Sequence, residues 1–480
     1  MFTNGFMKRL FFYTIVILGL LALEDNSGNA VTLFNNLNSA GAVGNAPIGL
    51  PYRKPERRGA VNALRQRAAV SDTGKLIGAD SARWLEDLAF YREKMPETHG
   101  NLFHKMTGQQ FNDSITLLGK KIPGLTVNQA KSAILRLVAM VGDGHTRVRQ
   151  ETLGEHMLPV RLYYFADGLY VESAEKAYQN ILGCKVERIG NMTAENVYAA
   201  VRDLIPVDGD NEYRRHLMAP EFMVNPEILT SVGAIKTAQT VAITVQKGGQ
   251  HFTVTLPAGL FRPWNNHGWP VDGPGWVNAR LLSGKPAPLW LEHTNKAYWY
   301  RFLPGGEILY IQFNEVADQQ GAAPIAKFFP LLIKEADEKK VERVVLDVRL
   351  NGGGNNELNR PIWHALLKSD RLNRKGKLWV ITGPKTFSAA TSLVDELELN
   401  THATFIGQPT GESPNQWGDP RDIKLPNSGI VIQASTIWWQ LEDPRDHRSF
   451  RKPDISVGMS FNDYKNGLDP VLETIERVHK

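Results

Sequence analysis

The run Val344-Val345-Leu346-Asp347-Val348 is apolar at four of five positions and, three residues later, reaches Gly352-Gly353-Gly354. A strand without polar alternation cannot turn one face to water. Both faces must be covered, as in a parallel sheet layered between helices. Leu378-Trp379-Val380-Ile381 has the same character, and Ile308-Leu309-Tyr310-Ile311 reads as a strand before it. Helical periodicity is expected over Pro324–Lys339 and again over Ser388–Leu399. Alternating strands and helices predict an α/β unit with crossover connections, here over residues 295–480.

The rest of the chain divides by its period. The 480 residues leave room for two or three domains. Residues 80–150 read as a helical region. Asp80-Ser81 is its start signal, Trp84, Leu85, Leu88, Ala89 and Tyr91 form one face, and Thr126 caps a later helix. That region stops at Gly142-Asp143-Gly144, a turn signal. Residues 155–290 hold period-two runs such as Gly168–Glu172, Val241–Val245 and Phe252–Leu256, the pattern of a small β-rich module. Its end is an irregular connector broken by Pro263, Pro270 and Pro274, with Trp264, Trp269 and Trp276 among them. Residues 31–79 form a linker or lead-in rich in Asn, Gly, Ala, Pro and Arg.

Composition excludes some classes. The net charge is +5 and no Lys/Arg run is long enough for a nucleic-acid arm, so no nucleic-acid partner is expected. Cys184 is the single cysteine, in an apolar context. It cannot form an internal disulfide and reads as a buried structural thiol. Lys8-Arg9, the apolar run Leu10–Leu23 and small residues ending at Ala30 make a secretory signal over 1–30. A span needs about 20 apolar residues, so no stable membrane span is expected once the signal is removed; an uncleaved anchor is the alternative. The expected location is periplasmic or extracellular.

Three features can carry chemistry. Ser388 sits where a buried strand, a turn and a helix meet. There it is either a helix N-cap or a nucleophile held in the field of a helix N-terminus. The glycines 352–354 form either a flexible loop or a set of main-chain N–H donors for an oxyanion. His145, directly after the glycine turn, has the intrinsic basicity of a general base, although most histidines in a chain are structural.

Taken in order, these pieces resemble the carboxyl-terminal-processing (tail-specific) serine peptidase family, nearest its branch with the tricorn core and the interphotoreceptor retinoid-binding protein. The matching stretches are Val344–Gly354, Thr386-Phe387-Ser388-Ala389-Ala390, Ile406–Gly411, Leu425–Gly429, Lys452–Ile455 and Asp469–Leu472, with Val141–Thr146 upstream. The resemblance implies a crotonase-like αββ core with an inserted PDZ-like module. It implies Ser388 as nucleophile, with N–H groups of Gly352 or Gly353 and of Ala389 as the oxyanion hole. Many members place a lysine about 25 residues after the serine; position 413 here is serine, and the next lysine after Lys385 is Lys424. His145 is therefore the expected base. The branch has a serine before this histidine, where this chain has Gly144.

A histidine base needs an acid to orient it. Asp446, Glu442 and Glu412 are candidates, and Asp446 is preferred for its nearness to the Pro453-Asp454 motif. Asp347 with Arg349 reads as a structural ion pair. The expected substrate is a peptide or protein, with no metal or cofactor. The rivals are a non-catalytic peptide or lipid carrier on the same fold, and an esterase or amidase. No feature assigns an oligomeric state.

Overall fold

The apolar run at 344–348 contributes the strand Arg343–Asp347, buried at every position, to the middle of a six-stranded sheet. The strand order is Tyr298–Phe302, Ile308–Phe313, Arg343–Asp347, Leu378–Thr382, Thr404–Gly407, Ile455–Ser456. The first pair is antiparallel and every later pair is parallel. This is a computed structural model; it describes residues 74–152, 154, 156–260 and 275–478. The expected signal, the lead-in before residue 74, the connector prolines, Trp264 and Trp269 lie outside the described residues.

Both faces of the sheet are covered, for the reason the sequence gives. Leu309, Ile311, Val344, Leu346, Leu378 and Val380 pack with Phe329, Ile362 and Leu393 from the helices Ile325–Glu338, Arg360–Lys368 and Ala389–Asn400. Tyr310, Val345, Trp379, Ile381 and Ile406 face the other way, onto Val471, Leu472 and Ile475 of the helix Pro470–Arg477. Each large aliphatic side chain so buried contributes about 1.5–3 kcal/mol relative to exposure. Arg349 joins this last helix to the sheet. It donates to Asp347 and, through both terminal nitrogens, to Asp469 at 3.1 and 2.9 Å.

The period-two runs form a separate, seven-stranded sheet, with Val160–Phe165, Gly168–Glu175, Lys185–Ile189, Thr240–Lys247 and Gln250–Pro257 as its longer strands. Trp276 lies in a short strand on its margin, paired with Glu175. Three helices interrupt the module: Ala194–Val201, Glu212–Met223 and Pro226–Ser231. Period-two reading passed over them. Their signal was the caps Thr193, Asn211 and Asn225, each accepting a backbone N–H from its own first turn. Cys184 is buried and unpaired. The chain is thus a mixed α/β protein with several sheets.

Among the described residues the first three α-helices are Gly78–Thr98, Gly108–Lys121 and Val127–Ala139. Thr126 caps the third through a capping box with Gln129, as its hydroxyl suggested. The first helix differs from expectation. It starts beyond Ile77 without a side-chain cap, so Asp80-Ser81 lies inside it. Leu85 and Ala89 point outward, while Trp84, Leu88, Tyr91 and Met95 are buried. Asp87 shares that inner face because it has work there. Its carboxylate accepts the backbone N–H groups of Asn427 and Ser428, each at 2.8 Å. One acidic residue thus ties the first helix to a loop about 340 residues away. Asp87→Ala should strip both donors of their acceptor and cost about 1–3 kcal/mol, read as a lowered urea midpoint at unchanged slope.

Candidate active site

The strand Leu378–Thr382 delivers the chain to a turn, Gly383–Phe387, which leads to Ser388 and the helix Ala389–Asn400. The turn is held from inside. Thr386 Oγ1 donates to Val348 O at 2.9 Å, and Phe387 N donates to Asn351 O at 3.1 Å. Ser388 is driven to φ 56°, ψ −131°, a region L-residues rarely visit and one that costs about 1–3 kcal/mol. Its hydroxyl makes no capping bond to the helix. Instead Oγ lies 3.0 Å from His145 Nε2. The cap reading of Ser388 is therefore set aside, and the strained turn aims the hydroxyl at an imidazole.

His145 reaches Ser388 from a loop 243 residues earlier. Asp143 builds that loop: its Oδ1 accepts the N–H groups of His145 at 3.0 Å and Thr146 at 2.6 Å, and the hydroxyl of Ser435 at 2.9 Å. Its other oxygen meets His99 Nε2 at 2.9 Å. Burial alone would raise the Asp143 carboxyl, but the His99 contact and the Thr146 donors hold it below the usual carboxylate range. The His145 ring packs on Phe387 with centroids 4.5 Å apart, and the Arg214 guanidinium lies over the Phe387 ring at 4.2 Å. A Cβ at position 144 would meet the Phe387 ring at 2.9 Å. The glycine before the histidine is thus the room that Phe387 occupies.

The acid beside the imidazole is Glu412. Its Oε1 lies 2.7 Å from His145 Nδ1, though the N–H···O line is bent away from hydrogen-bond geometry. Such alignments commonly tighten only in a substrate complex. Its Oε2 accepts the backbone N–H of Ser388. Glu412 is fully buried. Asp446, preferred on sequence grounds, is corrected: both its oxygens receive the Arg448 guanidinium, at 3.1 and 2.8 Å from Nε, and its carboxyl is held low by those bonds against the effect of burial. Nearness in sequence to Pro453 did not bring it to the ring. Glu412 arrives there because Gly411 presses against the turn before Ser388: its N–H donates to Thr386 O at 2.9 Å, and a Cβ on it would fall 2.1 Å from Pro384 O.

The glycine loop meets the helix start. Gly353, at φ +104°, lies so close that a Cβ would sit 2.6 Å from Ser388 Cβ and 3.2 Å from Ala389 N. Only glycine fits there. Its own N–H is not free, since it donates to Asn351 Oδ1 at 2.9 Å. The expectation for Gly353 as a donor is corrected accordingly. The N–H groups of Gly352 and Ala389 make no hydrogen bond within the described residues.

No protein-family model and no curated protein sequence matches the chain, whereas solved structures align with it. Mature CPAF, in complex with lactacystin, aligns over 83% of this chain and 97% of its own, with a TM-score of 0.53 and 13% identity. This chain has the fold of CPAF. The photosystem II D1 C-terminal processing protease aligns over 84% of this chain and 97% of its own, with a TM-score of 0.37 and 14% identity. The tricorn protease aligns over 84% of this chain and 38% of its own, with a TM-score of 0.38 and 14% identity.

Sequence reasoning passed over Asn351, Asp208 and Lys385. Asp208 accepts Gly144 N at 3.2 Å. Burial, with Glu412 and Asp143 nearby, pushes its carboxyl well above the usual range. Lys385 lies beside the glycine loop, its Cε 3.8 Å from where a Gly352 Cβ would stand. Burial, and then the Arg214 charge, pull its ammonium down to about 7. An unfolded lysine keeps its proton up to about 10.4. Between those values the unfolded chain binds more protons, so stability should climb as pH rises from about 7 toward 10. Lys385→Met should be more stable than the parent at pH 7 and lose that climb. Urea unfolding across this range checks it; parallel pH curves for both proteins would rule out Lys385 as the source.

Proposed function

We propose that this chain is an exported serine peptidase of the carboxyl-terminal-processing family, with Ser388 as nucleophile and His145 as general base. The observation that carries the reading is the Ser388–His145–Glu412 line: hydroxyl at 3.0 Å from Nε2, carboxylate at 2.7 Å from Nδ1. With its proton on Nδ1, toward Glu412, the neutral ring leaves Nε2 to accept from the serine. Ser388 Oγ attacks the scissile carbonyl as His145 takes its proton. Glu412 stabilises the imidazolium, which then gives the proton to the leaving amine. Water repeats the cycle on the acyl-enzyme and releases the acid. The Gly352 and Ala389 N–H groups, beside the nucleophile, are the donors for the oxyanion.

The other parts follow the same reading. The sheet of Arg343–Asp347 is the crotonase-like core, and the seven-stranded module is PDZ-like, taking an extended peptide by strand addition. Export rests on the signal at 1–30 and places the protein in the periplasm or outside the cell. No helix of the described residues is long and apolar enough to cross a membrane.

A fluorophosphonate probe should label the parent chain and fail to label Ser388→Ala; equal labelling would sink the assignment. His145→Ala should lower kcat/KM on an unstructured protein such as casein by about 10³-fold or more. Glu412→Gln should lower it by about 10²–10⁴-fold, while Asp446→Asn stays within a few-fold of the parent. Turnover of small esters with none of casein would favour an esterase instead.

A further inference from the structure

The helix that follows Ser388 carries an acidic feature that the reaction does not use. Asp395, in its second turn, is fully buried, and neither of its carboxylate oxygens has a hydrogen-bond partner. Glu398, one turn on, and Glu442, from the segment after the strand Ile437–Trp439, each bring an oxygen to the same place. One oxygen from each of the three lies within 4.8 Å of the others. Glu442 Oε1 is likewise buried without a hydrogen bond, its nearest cation being Arg448 Nη2 at 3.9 Å.

The neighbouring guanidiniums do not resolve this. Arg451 Nε donates to Glu398 Oε2 at 2.8 Å, and Arg448 is taken up by Asp446, with a longer contact to Glu398 at 3.4 Å. Neither donates to Asp395. Asp395, Glu398, Glu442 and Asp446 thus face two guanidiniums, leaving two carboxylates without a matching cation. A proton on Asp395 would quiet that group but leave Glu442 against Glu398. A buried carboxylate with no donor is otherwise strongly unfavourable.

We propose that Asp395, Glu398 and Glu442 bind a divalent cation that pins the segment around Glu442 to the nucleophile helix. All three donors are carboxylate oxygens, with no nitrogen or sulfur among them, so the ion is a hard one of the calcium or magnesium class. It supplies the charge the two arginines leave unmatched. Its role is structural and independent of the peptidase reading, in contrast to the metal-free expectation drawn from sequence.

The full chain, stripped with a chelator and dialysed, would be titrated with calcium, magnesium and manganese chloride while Tm is read. At least one ion should raise Tm by about 2–4 °C at saturation and give a one-site calorimetric isotherm. Asp395→Asn and Glu442→Gln should each lose the shift and the isotherm while keeping the parent's circular dichroism. The proposal falls if no ion shifts the parent, or if Asp395→Asn shifts equally. A stabilised Asp395→Asn with an unresponsive parent would mean that Asp395 simply holds a proton, which also overturns it. Should Asp395→Asn fail to fold, Glu442→Gln decides by the same two readings.

Discussion

The Glu412 carboxylate touches both members of the Ser388–His145 pair. One oxygen faces the imidazole and the other holds the main-chain N–H of the serine. A fully buried anion is tolerable only when donors replace the water it has lost. Here the Ser388 N–H donates to one oxygen, and the His145 ring lies against the other. The desolvation that makes Glu412 costly is thus what fixes the ring and the strained serine backbone with respect to each other. The loop that carries it is fastened in turn: Thr410 exchanges hydrogen bonds with Arg451, and its hydroxyl donates to Glu412 O at 2.9 Å.

The site is assembled from segments far apart in the chain, and each is anchored by a buried polar group. Asp143 shapes the histidine loop, Asn351 shapes the glycine loop, and Arg349 locks the strand before it to the last helix. The seven-stranded module contributes too. Arg214, from the helix Glu212–Met223, lies over Phe387 and donates to Pro384 O at 3.4 Å. Asp208, just before that helix, accepts from the histidine loop. The module is therefore part of the wall of the site and not only an appendage to the core.

How much of this could be read beforehand depended on whether the signal was local. The largely apolar runs at 344–348 and 378–381 specified buried strands because burial on two faces leaves no other pattern. The Thr126 cap and the Gly142 turn were legible for the same reason. The acid was not. Asp446 stood near a recognisable motif, yet what brings a carboxylate to His145 is the close passage of Gly411 over Pro384, a tertiary contact with no periodicity. Lys385 and Asp208 were invisible too, since their character comes from desolvation by residues distant in sequence. Asp87 shows the converse: an acid inside an apolar stripe was a usable sign of a buried partner.

The packing of Phe387 on His145 leaves no room for a side chain at position 144. The two positions therefore share one volume, and neither can change size alone. A side chain at position 144 becomes admissible only once the aromatic ring has given way. Phe387, the neighbour of Ser388, thereby sets what stands against the His145 imidazole, and the glycine at 144 is the space that this ring face requires.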